Sequence, residues 1–157
     1  MELNKIYYGD AFELSKQIPD NYLNLVVTSP PYSSKKSYGK KIDIFHPDHY
    51  NDWIMPLMKE ISRSLKKDGS FILNINDKIV DGYRHTHVLE LIPRIVKETD
   101  LKLYDRYIWH KKNAMPSSVL DRLTNKYEQV FFFVKNGDYH FELDSIRIPF
   151  ETNENRP

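Results

Sequence analysis

A short apolar run that ends in a double proline constrains this chain more than any other stretch. Leu25, Val26, Val27 and Thr28 carry no charge and are largely β-branched; such a run reads as a buried parallel strand. Ser29, Pro30, Pro31 and Tyr32 follow at once. Neither proline has an N–H to donate, so a sheet ladder stops there. Ser29 and Pro30 each precede a proline, which pushes both out of the helical region into extended backbone. The pattern predicts a rigid tip at the carboxyl end of a strand, carrying a hydroxyl, outward carbonyls and an aromatic ring. In open α/β sheets, that end of a strand is where ligands bind.

Residues 5–8 read as a short strand, followed by Gly9, Asp10 and a helical stretch through Leu14 and Ile18. Pro19, Asp20 and Asn21 break it before the central strand. A helix begins at His46, Pro47 and Asp48, with Trp53, Ile54, Leu57, Met58, Ile61 and Leu65 at helical spacing. Pro56 is expected to kink it, and Lys66, Lys67, Asp68 and Gly69 to end it with basic residues and a glycine stop. Residues 70–76 read as the next buried strand, which puts Asp77 and Lys78 on the same rim as Ser29, where a turn role is equally open; Asn74 or Asn76 is a candidate to line the site. A second helix covers residues 85–98, with Val88, Leu91, Ile92, Ile95 and Val96 inward and Pro93 interrupting it. Residues 101–109 and 128–134 are the last strands. The order strand–helix–strand–helix–strand–strand is an α/β layout with a terminal antiparallel hairpin.

At 157 residues the chain fits one domain with a real core. It has no cysteine, which removes disulfides, cysteine-based zinc sites and cysteine nucleophiles. His85 and His87 lack a third ligand at metal spacing, so no metal is expected. With no 18-residue apolar run and no signal-peptide pattern, a soluble cytoplasmic protein without membrane contact is expected. A net charge of +1 does not indicate a globally basic nucleic-acid binder, but Lys35, Lys36, Lys40 and Lys41 crowd just after the double proline.

The Ser29-Pro30-Pro31-Tyr32 tip resembles the catalytic motif of the DNA amino-methyltransferases, (Asp/Asn/Ser)-Pro-Pro-(Tyr/Phe/Trp), whose serine form is commonest among cytosine-N4 enzymes. The Gly9-Asp10 pair, the 69–78 stretch and the Trp109-x-Lys111-x-Asn113-x-x-Pro116 segment, with Arg122, Tyr127 and Glu128 beyond it, also resemble that family. The resemblance spans roughly residues 5–135 and implies a Rossmann-like methyltransferase sheet using S-adenosylmethionine. It implies cofactor contacts from Asp10, Ala11, Thr28, Ser29 and Pro30, and catalysis by Ser29, Pro30, Pro31 and Tyr32. Ser29 Oγ and the Pro30 carbonyl are expected to accept the two hydrogens of an exocyclic amine, and the Tyr32 ring to stack on the flipped base. Without a cysteine, the covalent route of cytosine-C5 enzymes is closed. Lys35, Lys36, Lys40, Lys41, Asn113 and Arg122 are expected to contact DNA, the lysines through phosphate.

Gly9, Gly39, Gly69, Gly82 and Gly137 include no Gly-x-Gly pair, although backbone must approach the methionine part of such a cofactor. One permuted order within the family places the catalytic half first, then a recognition region and a Gly-rich half. The chain is accordingly expected to be an incomplete sheet. Residues 1–136 form the catalytic half in this reading. Residues 137–157 form a strand-like extension and polar tail leading toward a missing recognition region. The expected partners are DNA and either a complementary Gly-rich polypeptide or a second copy. The expected activity is cytosine-N4 methylation within a restriction-modification system. The alternatives are adenine-N6 methylation, another amine substrate such as RNA on the same fold, or a non-catalytic DNA-binding or assembly subunit of a split enzyme.

Overall fold

The computed structural model describes residues 2–33, 46–113 and 120–148. Four strands form one sheet in the order β1 (Leu23–Thr28), β2 (Leu65–Ile75), β6 (Tyr127–Val134), β5 (Lys102–His110). The pair β1–β2 is parallel, and β6 runs antiparallel to both β2 and β5. This is the expected α/β layout with its terminal hairpin. A separate two-residue hairpin, β3 (Ile79–Val80) and β4 (Tyr83–Arg84), closes over Asp81 and Gly82 at positive φ. That is the type I′ turn an Asp-Gly pair favours, and the sequence reading passed over it.

Helices α2 (Pro47–Ser64) and α3 (His87–Glu98) cover one face of the sheet. Side chains alternate along each strand. The inward set is Phe71, Leu73 and Ile75 from β2 with Phe131 and Phe133 from β6. It meets Tyr50, Ile54, Met55, Met58 and Ile61 of α2, and Val88, Leu91, Ile92 and Ile95 of α3. The Phe71 and Phe133 rings stack with centroids 5.6 Å apart. Pro56 and Pro93 interrupt neither helix, because both lie on the solvent side, where water satisfies the carbonyl that lacks a partner. Val96, expected inward, is exposed.

Several boundaries differ from expectation. Residues 5–8 form no strand; Ile6 and Tyr8 are fully exposed, and no strand among the described residues offers a ladder beside them. The first helix, α1 (Ala11–Ser15), is short and continues only as a turn toward Ile18. Helix α2 ends at Ser64, where Leu65 turns extended, so Gly69 lies within β2 and is no helix stop. Gly69 instead lets the β1 backbone pass closely: an added Cβ would lie 2.8 Å from Leu65 Cγ and 3.0 Å from the Leu23 carbonyl oxygen. The register shifts there, from Leu23 opposite Leu65 to Leu25 opposite Ser70.

The strand carrying the double proline lies at the edge of the sheet, as an incomplete sheet implies, but it is not the buried strand its composition suggests. Its other edge has no ladder partner among the described residues. Leu25 and Val27, on the face away from the helices, are 54% and 64% exposed. On that same face Tyr139 packs on Tyr104 and Phe132 at 4.8 and 5.3 Å between centroids. Beyond it, the stretch expected to be strand-like carries a 3-10 turn at Leu143–Ile146 and no strand among its described residues. No helix among the described residues is long and apolar enough to cross a membrane.

Because Leu65 Cγ and the β1 carbonyls leave no room at Gly69, Gly69→Ala overpacks the crossing. It is expected to lower stability by about 1–3 kcal/mol, read as a shift of the urea midpoint at constant slope.

Candidate active site

The pairing directions bring one end of every long strand to one rim. Parallel β1 and β2 finish there together, with Thr28 opposite Leu73. Strand β6 starts at that rim with Tyr127 and Glu128, and β5 ends at it with Trp109 and His110. Ser29, Asn74, Lys111 and Glu128, from four separate parts of the sequence, thus become neighbours.

Glu128 is the hub. Its Oε2 accepts hydrogen bonds from the Tyr32 hydroxyl and from Asn74 Nδ2, both at 2.9 Å. Its Oε1 is paired with the Lys111 ammonium, which also lies 5.7 Å from the Trp109 ring centroid. Burial by itself would raise the Glu128 carboxyl, but the bonds from Lys111, Asn74 and Tyr32 outweigh it and hold the group below the usual carboxylate range. Ser29 Oγ lies 3.1 Å from the Tyr32 hydroxyl oxygen. The next residue, Ser33, is buried and lies 3.2 Å from His87 Nε2 at the start of α3. The tip is thus tied to β6 through Tyr32 and Glu128, and to α3 through the following Ser33 and His87.

On the other side of Ser29 a cleft of about 550 Å³ opens between the tip, α1 and α2, within the range of about 300–1,000 Å³ usual for small-molecule sites. Asp10, Ala11, Thr28, Ser29, Pro30 and Pro31 line it, which unites the residues expected to meet the cofactor. Phe12, Trp53 and Leu57 form its apolar wall, with the Phe12 and Trp53 rings 5.3 Å apart. Asp10 also caps α1, its Oδ1 accepting from Phe12 N at 2.8 Å. Arg63 docks this segment onto α2 through the Ile18 carbonyl at 2.8 Å and through Asp20.

Other site residues are placed differently. Asn113 is exposed, and the Arg122 guanidinium forks onto Asp121 at 2.7 and 2.9 Å. Lys35, Lys36, Lys40, Lys41 and Pro116 lie outside the described residues. Asn76 donates to the Tyr127 carbonyl at 3.0 Å, and Asp77 faces Arg84 of the small hairpin at 3.5 Å. Sequence reasoning left four cleft residues out: Phe12, Trp53, Ile54 and Leu57. Trp53 and Leu57 are spaced i, i+4 on one helix face, which is also what a core stripe looks like. The hydroxyl of Tyr32 is the further surprise. Its ring is expected to act by its face, yet its hydroxyl donates to Glu128 of β6 and lies beside Ser29 Oγ.

The DNA methylase family model of the N6/N4 class matches residues 23–156, and the chain belongs to that family. It is 34% identical to the Type II methyltransferase M.SfiI of Streptomyces fimbriatus over 95% of this chain and 40% of that protein. It is 36% identical to the Type II methyltransferase M.MwoI of Methanothermobacter wolfeii over 96% of this chain and 24% of that protein. Among solved structures it superposes on the PvuII cytosine-N4-specific DNA methyltransferase with TM-score 0.71 and 26% identity. That match covers 85% of this chain and 49% of the other. The chain therefore spans less than half the length of these three proteins.

The His87 anchor makes an acid prediction. Burial, with His85 and Lys78 adding to it against Glu90, lowers the His87 pKa from 6.5 to about 4. The folded state keeps this ring neutral, so its contribution to stability is full above the unfolded value of 6.5 and is lost as pH falls toward 4. The loss amounts to about 3 kcal/mol. Glu98, held near 2 by Lys59 and Arg94, weakens only below 4.5. Chemical denaturation between pH 6.5 and 4.5 is expected to show a slope that His87→Gln abolishes.

Proposed function

We propose that the chain is the catalytic half of an enzyme that methylates the N4 amine of cytosine in DNA, with the base flipped out of the duplex. The observation that carries this is the position of Ser29 and Pro30, at the sheet rim and on the wall of the cleft together. The serine form of the tip and the likeness to a cytosine-N4-specific neighbour at 26% identity support N4 over adenine N6.

The cleft suits part of S-adenosylmethionine. Phe12, Trp53 and Leu57 offer an apolar wall for a flat ring, and Asp10 sits at its rim with a carboxylate able to accept from an exocyclic amine. None of the lining residues forms a Gly-rich turn for the amino-acid end of the cofactor. When bound, S-adenosylmethionine supplies an electrophilic methyl group.

The chain's own part is positioning. The amine lone pair of cytosine is conjugated with its ring and is a poor nucleophile. Ser29 Oγ and the Pro30 carbonyl accept the two amine hydrogens and favour a pyramidal nitrogen. The two prolines hold those acceptors in place, because their fixed φ leaves the tip little freedom. No strong base is required before transfer, since the amine sheds its proton once alkylated. DNA is the proposed partner, with the lysines at 35, 36, 40 and 41 meeting phosphate. The open edge of β1 and the bare Leu25 and Val27 support a second polypeptide, or a second copy, that completes the sheet.

The test is methyl transfer from radiolabelled S-adenosylmethionine to DNA by the chain alone and mixed with a Gly-rich complementary half, followed by nucleoside analysis. The mixture is expected to form N4-methylcytosine and the chain alone to form none. N6-methyladenine in its place, or robust transfer by the chain alone, refutes the corresponding part of the proposal. Ser29→Ala is expected to remove most transfer, by about 2.7–4 kcal/mol of barrier, with DNA affinity nearly intact. Wild-type turnover in that variant would sink the mechanism.

A further inference from the structure

We infer that Glu128 is a positioning residue that, through Tyr32, fixes the Ser29 hydroxyl as a hydrogen-bond acceptor toward the cleft; this rests on the amine-methylation reading above. The inference follows from counting protons. Ionised Glu128 has acceptors only. The Tyr32 hydroxyl has one proton, and at 2.9 Å from Glu128 Oε2 that proton is committed to the carboxylate. The Tyr32 oxygen, 3.1 Å from Ser29 Oγ, therefore meets Ser29 as an acceptor. The one Ser29 proton points at Tyr32, which leaves its lone pairs for a group entering the cleft.

That direction matters chemically. An exocyclic amine brings two N–H donors and one lone pair. An acceptor oxygen takes a donor and leaves the lone pair for the methyl group. A serine rotated the other way would aim its own proton at the amine nitrogen and occupy the lone pair that has to attack. Asn74 and Lys111 complete the device. They hold the carboxylate from β2 and from the end of β5, so it faces the tip in one orientation. Lys111 also offsets the cost of keeping a charge that is only 9% exposed.

Two measurements test this. In the complemented enzyme, Tyr32→Phe and Glu128→Gln are each expected to lower kcat by about 10- to 100-fold, with KM for DNA and for S-adenosylmethionine within about twofold of wild type. Added to Ser29→Ala, neither is expected to lower kcat further, because both act through the same hydroxyl. A merely structural role would multiply with Ser29→Ala, and that result overturns the inference, as does wild-type kcat in Tyr32→Phe. In the purified 157-residue chain, NMR of selectively labelled tyrosine reads the Tyr32 hydroxyl proton without any turnover. It is expected to exchange slowly in the wild type and fast in Glu128→Gln; equal exchange in both overturns the inference whatever the activity. Absence of transfer by wild-type enzyme, with the proton behaving as expected, instead refutes the cytosine-methylation reading.

Discussion

The parallel pairing of β1 with β2 is the constraint on which the site depends. Thr28 ends opposite Leu73, so the tip that follows β1 and the residues that close β2 emerge at one rim. The antiparallel return of β6 then delivers Glu128 to that rim, and β5, parallel to β2, delivers Lys111. A slip of one residue in β2 would turn Asn74 toward the helices and bring Leu73 to the carboxylate. Core and site share this register, since the alternation that buries Phe71, Leu73 and Ile75 is what turns Asn74 outward. The hydrophobic core thus sets the site geometry as well as the stability.

The Ser29–Tyr32 tip sits at the end of an edge strand, where a sheet offers least rigidity. The chain answers with local devices. Two prolines fix the backbone, Tyr32 is tied to Glu128 and Ser33 to His87. His87 in turn accepts, through its carbonyl, a 3.0 Å bond from Asn51 of α2, which joins the starts of both helices to the tip. These anchors come from the covered side of the sheet and the rim. No strand among the described residues pairs with the outer edge of β1, and Leu25 and Val27 stay bare on the face away from the helices.

The sequence made the layout legible where periodicity and context agreed. The amphipathic stripes gave α2 and α3, the β-branched and aromatic runs gave β1, β2 and β6, and the double proline marked the tip. Residues 5–8 misled because a strand-like composition forms a ladder only beside a neighbour, and none lies there among the described residues. Gly69 misled because a glycine after lysines signals a helix end as readily as a close backbone crossing. Burial of β1 was misjudged for a related reason: an apolar run reports a face that needs covering, not whether the covering lies in the same chain. The cleft wall escaped notice because Trp53 and Leu57 obey the same spacing as their buried neighbours Ile54 and Met58.

Glu128 was legible as a member of a segment but not as the centre of a network, since nothing local links it to Tyr32, 96 positions away. Its presence bears on why a serine suffices at position 29. The tip motif admits an aspartate where this chain has a serine, and an ionised aspartate brings its own negative charge to the amine. A serine brings none. On the proposed reading, a carboxylate lies behind Tyr32, and hydrogen bonds in series polarise one another. The Ser29 oxygen then becomes a better acceptor while the formal charge stays on Glu128, buried and matched by Lys111. On that reading, a neutral tip backed by a buried anion would orient the amine without placing an unscreened charge on the cleft wall.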